Sequence, residues 1–264
     1  MKKLILIPAR LASTRLPNKM IANIAGRSLI QRTFLRVQEA NLADKVVVAT
    51  DSDIIVKEIE AVGGEAILTD INHNSGTMRC EEALSILESR GEKYDWIINV
   101  QGDEIFVELK AIGDLFEALQ KQENIHLASM MESINDWQSV ENPNIVKVVH
   151  TQPLPNSNLC KALYFSRHAL PFMRDANAEK QAAALAQGLY KRHIGVYGFS
   201  AKGLHAIAQM PASTLESTEM LEQLRWLENG WAIAMLHIQP LQDKKYAFGI
   251  DTAEDLEKAK KLLE

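Results

Sequence analysis

The chain has 264 residues, 47% of them hydrophobic and 24% charged, which suits a globular protein with room for one large α/β domain or two small ones. Its formal charge of -5 leaves no basic surplus to neutralise a nucleic-acid backbone. No run approaches the ~18 apolar residues that would signal a membrane span.

Cys80 and Cys160 are the only cysteines. They show neither metal-ligand spacing nor a disulfide framework, which fits a reducing cytoplasm. Met1-Lys2-Lys3 and the short strand after it are wrongly flanked for a signal peptide, since Pro8 and Arg10 interrupt the apolar run.

Leu4-Ile5-Leu6-Ile7 is apolar without alternation and predicts a strand buried on both faces, ended by Pro8, which has no N–H to donate. The segment from Ala9 to Arg27 is long for a strand-to-helix connection and carries Arg10, Arg15, Lys19 and Arg27 with no acidic residue. Converging cations on a loop that leaves a buried strand suit a polyphosphate; a solvated basic loop would carry the same charges. A helix is predicted over 28–40, with Leu29, Ile30, Thr33, Phe34 and Val37 on one face. Lys45–Thr50 reads as a second buried strand, and Asp51-Ser52-Asp53 caps a helix over 54–62 that stops at Gly63-Gly64. Short strands follow at 65–68 and 96–100, and between them His73-Asn74-Ser75-Gly76-Thr77 opens a helix through about Ser89. After a further helix come strands near 127–131 and 145–150. Strands alternating with helices imply a mostly parallel sheet covered on both faces, with ligands beyond the carboxyl ends of the strands, where Arg10, Asp51 and Asp103 fall.

Between about 151 and 190 the rhythm breaks. Pro153, Pro155 and Asn158 mark a turn, and 177–187 is an alanine-rich helical run. This excursion reads as a β-rich dimerisation arm carrying a helix, or equally as a surface insertion, within one domain spanning 1–264. The chain returns through a strand at 194–199, a helix at 216–229, a strand at 232–237 and a last amphipathic helix after Gly249-Ile250-Asp251-Thr252.

No Gly-x4-Gly-Lys-Ser/Thr loop, no Gly-x-Gly-x-x-Gly after the first strand and no His-Glu-x-x-His is present, which sets aside P-loop proteins, dinucleotide-binding enzymes and that class of zinc enzyme. Asp103 sits in a Gly-Asp-Glu turn just past a buried strand, and Asp251 in a second turn before a helix. Each has a bland role open to it, Asp103 in the turn and Asp251 as a cap. Together with a basic loop, two such carboxylates suit one or two magnesium ions shared with phosphate oxygens, in nucleotidyl or phosphoryl transfer.

The run Ile7-Pro8-Ala9-Arg10 with Ser13-Thr14-Arg15-Leu16-Pro17-Asn18-Lys19 opens a series of motifs. Ala49-Thr50-Asp51, Ser75-Gly76-Thr77-Met78-Arg79, Asn99-Val100-Gln101-Gly102-Asp103-Glu104 and Asn142-Pro143-Asn144-Ile145-Val146-Lys147 follow. Ala162-Leu163-Tyr164-Phe165-Ser166-Arg167, Arg192-His193-Ile194-Gly195-Val196-Tyr197, Glu219-Met220-Leu221-Glu222-Gln223 and Gly249-Ile250-Asp251-Thr252 complete it. In this order the chain resembles the CMP-Kdo synthetases, the 3-deoxy-manno-octulosonate (Kdo) cytidylyltransferases of lipopolysaccharide synthesis. The first motif is shared with other sugar nucleotidyltransferases; the later ones are narrower.

The resemblance implies an α/β, Rossmann-like nucleotidyltransferase fold with a dimerisation arm, hence a homodimer, and a cytoplasmic enzyme that uses CTP and an acid sugar. It implies that Arg10, Arg15 and Lys19 hold the CTP triphosphate, that Asp103 and Asp251 bind Mg2+, and that Ser75, Gly76 and Arg79 lie near the nucleotide. Gln101, Arg167, His193, Tyr197, Glu222 and Gln223 would line the sugar-acid site, with Arg167 on its carboxylate. A lone strand histidine is usually a satisfied core residue, but the Arg-His-x-Gly-x-Tyr setting of His193 reverses that expectation. Glu219, Glu222 and Gln223 fit one helix.

The chain departs from the family pattern at Asn18 for Gly, Met20 for Pro, Met78 for an acid, Cys80 for an apolar residue and Ile105 for Pro, and differs at Phe172. These departures bear on substrate preference, where 8-amino-Kdo is the alternative acid sugar and a catalytically inactive nucleotide-sugar binder the alternative class.

Overall fold

The computed structural model describes the chain apart from residues 14, 15, 123, 124, 156, 240–248, 251 and 264. In chain order the elements are β1 (Lys3–Ala9), a 3-10 turn (Lys19–Ile21), β2 (Asn23–Ile24), β3 (Arg27–Ser28), α1 (Leu29–Glu39), β4 (Lys45–Thr50) and α2 (Asp53–Glu60). Next are β5 (Glu65–Leu68), α3 (Gly76–Ser89), β6 (Trp96–Asn99), α4 (Leu109–Gln120), β7 (Leu127–Ser133), α5 (Trp137–Glu141), β8 (Lys147–His150) and β9 (Leu159–Ser166). The chain ends with α6 (Ala178–Ala186), β10 (Lys191–Ser200), α7 (Ala201–Ala208), α8 (Thr214–Glu219), α9 (Glu222–Glu228), β11 (Ala234–His237) and α10 (Ala253–Leu263). Among the described residues, no helix is long and apolar enough to cross a membrane.

Two compact units divide these elements. The first comprises Met1–Phe116, Gly198–Ala208 and Leu241–Glu264; the second comprises Glu117–Tyr197 and Gln209–Pro240. The predicted excursion over 151–190 falls inside the second unit, which starts earlier and takes in the chain up to Pro240.

In the first unit the strand order β5-β4-β1-β6 is parallel throughout. Leu4, Ile5, Leu6 and Ile7 have no exposed surface, as a strand covered on both faces requires. Contrary to expectation, β1 runs through Pro8, which pairs with Ala49, to Ala9, which pairs with Thr50. Alternation explains it. Leu6 faces β6, accepting from Val100 N, so Pro8 faces the same side, where the β6 ladder has already ended at Asn99. The missing N–H therefore leaves no broken ladder bond.

Helix α1 buries the five residues its periodicity picked out, and Ser28 with Gln31 forms a capping box at its start. Gly64 follows α2 where a Cβ would stand 2.5 Å from Phe34 Cζ, so the close approach of this corner to α1 admits no side chain. Burial of Phe34 alone is worth about 1.5–3 kcal/mol.

The second unit is mixed. β7 and β11 are parallel, whereas β11 with β9, β9 with β8, and β8 with β10 at Lys147 and Arg192 are antiparallel. The short return from β8 to β9 can only make an antiparallel pair, since a parallel one needs a long crossover. A satellite core of Ile134, Val140, Ala184 and Tyr190 seats α5 and α6, with Trp137 edge-on to Tyr190 at 5.3 Å.

The single helix expected over 216–229 is two helices. Met220 adopts a left-handed conformation (φ 54°) between α8 and α9, so Glu219 closes one helix and Glu222 and Gln223 open the next. The Glu219 carbonyl and carboxylate are both taken by Arg167 and Ser166, which holds the chain in this break.

Candidate active site

In the first unit, a 260 Å³ cavity opens beyond the carboxyl ends of β1 and β6. It is lined by Arg10, Lys19, Ser75, Gly76, Arg79, Gln101 and Asp103, seven of the predicted site residues. Ser13, His73 and Asn74 also line it and were not singled out from the sequence. Arg15 and Asp251, with Thr14 of the opening motif, lie outside the described residues.

Lys19 reaches the cavity from the 3-10 turn, its Nζ 2.6 Å from Asp103 Oδ2, and is 7% exposed. The turn begins at Asn18 in the left-handed region (φ 56°). Glycine enters that region freely and asparagine more readily than most residues, so Asn18 can stand in the family's glycine position. Asp103 is set by its neighbour. A Cβ on Gly102 would meet Ile30 Cδ1, Met20 Sδ and the Pro8 carbonyl at 3.1–3.2 Å, and the Gly102 carbonyl accepts from Thr33 Oγ1 of α1 at 2.8 Å. Ile250 N donates to the Asp103 carbonyl at 3.2 Å, so the segment leading to Asp251 is pinned beside the Asp103 turn.

Ser75 caps α3 by accepting from Met78 N at 3.2 Å, which aims the start of a 14-residue helix at the cavity. Its first amides and dipole favour an anion there. Arg79 lies one turn in and is 3% exposed, but its guanidinium is engaged: Nη2 donates to Asp51 Oδ2 at 2.9 Å and Nη1 to Thr69 Oγ1 at 2.6 Å. Asp51 Oδ1 in turn accepts from Leu11 N at 3.1 Å. Arg79 and Asp51 thus tie the opening loop to α3. The sequence put Asp51 beyond the strand ends and in the cap of α2; the cap is Ser52, and the Asp51 carboxylate holds Arg79 and Leu11 N instead. Gln101 Nε2 donates to buried Asn99 at 3.2 Å, leaving the amide oxygen as its acceptor.

The second unit gathers the other predicted residues. His193 and Tyr197 stand two turns of the pleat apart on β10, with ring centroids 5.4 Å apart. Phe165 packs edge-on to His193 at 4.9 Å and Trp226 edge-on to Tyr197 at 5.1 Å. Tyr197 Oη donates to Gln223 Oε1 at 3.2 Å. Ser129 Oγ, which the sequence reading missed, lies 2.8 Å from His193 Nε2 and within 3.1 Å of the Ile194 and Val196 carbonyls. One hydroxyl hydrogen cannot serve three acceptors; with it on a carbonyl, His193 Nε2 carries the ring hydrogen and Nδ1 is the acceptor.

Burial pushes His193 down to about 3, so the imidazole is neutral at physiological pH. Burial, with the Glu222 carboxylate, raises Tyr197 well above the usual phenol value. Arg167 donates to three backbone carbonyls, from Nε to Glu219 at 2.8 Å, Nη1 to Pro143 at 3.1 Å and Nη2 to Met220 at 3.4 Å. Its guanidinium therefore fastens the break between α8 and α9. Fully buried Lys147, held by the Asn142 and Arg167 carbonyls at 2.8 and 2.7 Å, braces the same corner, and burial lowers its pKa.

Among the described residues, no group of three His, Cys, Asp or Glu side chains is placed to hold a metal ion. Asp103 is a carboxylate donor in a cavity whose lining also holds the cations Arg10, Lys19 and Arg79, the amides of Asn74 and Gln101 and the hydroxyls of Ser13 and Ser75. Such hard oxygen chemistry fits magnesium, which needs only one or two protein carboxylates beside phosphates and waters.

A parallel α/β unit with a cationic cavity past its first strand defines a nucleotidyltransferase class of site. The family model described as cytidylyltransferase matches residues 4–238. A 3-deoxy-manno-octulosonate cytidylyltransferase of Syntrophobacter fumaroxidans is 38% identical over 252 residues, 96% of this chain and 93% of that one. One of Francisella tularensis subsp. holarctica is 40% identical over 258 residues, 98% of this chain and 97% of the other. A solved structure of CMP:2-keto-3-deoxy-manno-octonic acid synthetase complexed with CTP superposes with a TM-score of 0.83 at 32% identity, covering 99% of this chain and 98% of that one. The chain belongs to the 3-deoxy-manno-octulosonate cytidylyltransferase family.

Proposed function

We propose that this protein joins CTP and Kdo to give CMP-Kdo and pyrophosphate, in the cytoplasm, for lipopolysaccharide synthesis. The observation that carries the reading is the cavity of the first unit. There Arg10, Lys19, the α3 amino terminus and Asp103 converge in a chain that matches a CTP-bound synthetase over nearly its whole length. Full-length relatives of the same named activity support the acid sugar as Kdo.

In the reaction, the anomeric hydroxyl of the sugar acid attacks the α-phosphorus of CTP and gives up its proton to solvent. One P–O bond forms as the bond to the β-phosphate oxygen breaks, and pyrophosphate leaves. Arg10 and Lys19, with Arg15, stabilise the charge that grows on the leaving group, and the α3 amides add a fixed positive field. Asp103 and Asp251 would hold magnesium, which when bound neutralises triphosphate charge and aligns it for displacement. Gln101, assigned by the resemblance to the sugar-acid site, lines the first-unit cavity and would offer its amide to a sugar hydroxyl there.

In the second unit, His193, Tyr197 and Gln223 offer neutral donors and acceptors to the hydroxyls of the sugar, and Glu222 offers an acidic one. Arg167 pairs with the sugar carboxylate only by exchanging carbonyl partners it already holds. A site of this kind rejects analogues that leave its polar groups unpaired. The stretch within 151–190 is proposed as the arm of a homodimer.

The test is pyrophosphate release with CTP against Kdo, 8-amino-Kdo and sialic acid at fixed CTP. Kdo is expected to give the highest kcat/KM. A sialic-acid value equal to or above both others overturns the assignment, and full activity in excess chelator overturns the role given to magnesium.

A further inference from the structure

Arg27 was grouped with the basic loop in the sequence, yet it does not line the nucleotide cavity. It lines a separate cavity of 570 Å³ in the first unit together with Arg32 and Arg36 of α1, over an apolar lining that includes Leu35, Ile105 and Phe106. The two cavities share no lining residue. The volume falls in the range of small-molecule sites. Among the described residues of the lining, Glu39, exposed on α1, is the one acidic residue against three guanidinium groups. Burial and the like charge of Arg27 both pull Arg32 below the usual arginine value.

We propose that this cavity binds a small amphipathic anion, a carboxylate or phosphate head on an apolar ring or short acyl body. The head would sit against Arg27 and the donors that Arg32 and Arg36 do not give to backbone carbonyls, and the body against Leu35, Ile105 and Phe106.

Occupancy would be felt at the nucleotide cavity, a consequence that rests on the function proposed above. Arg36 donates from Nε and Nη2 to the Val107 carbonyl at 3.3 and 3.1 Å, in the stretch that follows Asp103. Arg32 donates to the Ile24 and Ala25 carbonyls at 2.5 and 2.6 Å, in the hairpin that follows Lys19. The arginines of one cavity thus grip the segments next to Lys19 and Asp103, two of the charged groups of the other.

Titration calorimetry with octanoate, octyl phosphate and the neutral control octanol tests this. Saturable binding at one site per chain is expected for one or both anions, about tenfold tighter than for octanol. Arg27→Glu and Leu35→Asp, each checked for an unchanged circular dichroism spectrum, should each weaken it about tenfold. Comparing octanoate with octyl phosphate assigns the head group. Equal affinity for octanol, indifference to both variants, or one-for-one displacement by CTP overturns the site. At saturating anion the KM for CTP should change by about twofold or more; an unchanged value overturns the coupling. Because binding is read without turnover, a chain that binds the anion but releases no pyrophosphate counts against the cytidylyltransferase reading and not against this cavity.

Discussion

Lys19 and Asp103 in the first unit meet charge to charge at 2.6 Å, while in the second unit His193 and Tyr197 are both held neutral by burial. A cavity with fixed cations and a carboxylate is made for a ligand that brings its own charge and its own metal, and its groups must stay ionised to work. A cluster of neutral rings, hydroxyls and amides is made for a ligand that brings hydroxyls, and ionisation would spoil it. The contrast predicts a division of labour in kinetics: changes in the first unit fall on CTP and on kcat, and changes in the second fall on the KM for the sugar.

The sharpest test is Asp103→Asn. The amide keeps the shape of the side chain but loses the charge a hard cation needs, so kcat should fall by roughly 10²-fold or more while both KM values move little. Activity should also vanish with excess chelator and return with magnesium. A variant that lost only CTP affinity would put Asp103 in ground-state binding, and one that raised only the KM for the sugar would erase the first half of the contrast.

Lys19→Ala should raise the KM for CTP by about 10- to 100-fold, the worth of a charge-assisted bond to phosphate. Lys19 is 7% exposed and paired, so the variant also leaves Asp103 without this partner and should melt slightly lower. If KM for the sugar rises instead, the division between the units fails.

Arg167→Leu should raise the KM for the sugar acid about tenfold with little change for CTP. The same arginine fastens Glu219, Met220 and Pro143, so Arg167→Lys is the needed partner variant. Lysine keeps a charge but cannot span three carbonyls. Recovery of folding without recovery of the sugar KM would assign Arg167 to the α8–α9 break rather than to the substrate.

What the sequence made legible follows the same division. The first unit is built from local signals: buried apolar runs mark β1, β4 and β6, the 3.6 period marks the face of α1, and Asp51-Ser52-Asp53 holds the cap of α2, supplied by Ser52. Of the seven cavity residues, Arg10, Lys19 and Asp103 were legible from the loop and turn that follow buried strands, while Ser75, Gly76, Arg79 and Gln101 were foreseen only through the family resemblance. In the second unit the decisive contacts join residues far apart in sequence: Ser129 to His193, 64 positions on, and Arg167 to Glu219, 52 positions on. No local pattern announces them. The left-handed Met220 that breaks the predicted helix is legible only once Arg167 is seen to claim the Glu219 carbonyl. The β1 extension through Pro8 likewise depends on where a neighbouring strand stops, which the sequence of β1 does not contain.

The gentlest test asks whether the second unit keeps its groups neutral. His193 titrates near 6.5 when unfolded and about 3 when folded. The native state thus resists a proton that the unfolded chain accepts. Between those values the unfolded state binds more protons, so stability is complete above pH 6.5 and is lost as pH falls toward 3. From this group alone the loss is about 1 kcal/mol per pH unit within the window, and nothing further below it. Comparing denaturant unfolding of the protein and of His193→Gln between pH 7.5 and 5.5 isolates the contribution, since glutamine keeps a donor and an acceptor but cannot titrate. The variant should show the shallower dependence, by about 1 kcal/mol over that interval. The C2 proton of His193 in an NMR titration should stay still through the same range, and kcat/KM for the sugar should show no inflection from this residue. A resonance that moves near pH 6.5 would mean that His193 ionises in the folded state, and the neutral cluster would have to be read instead as a second charged site.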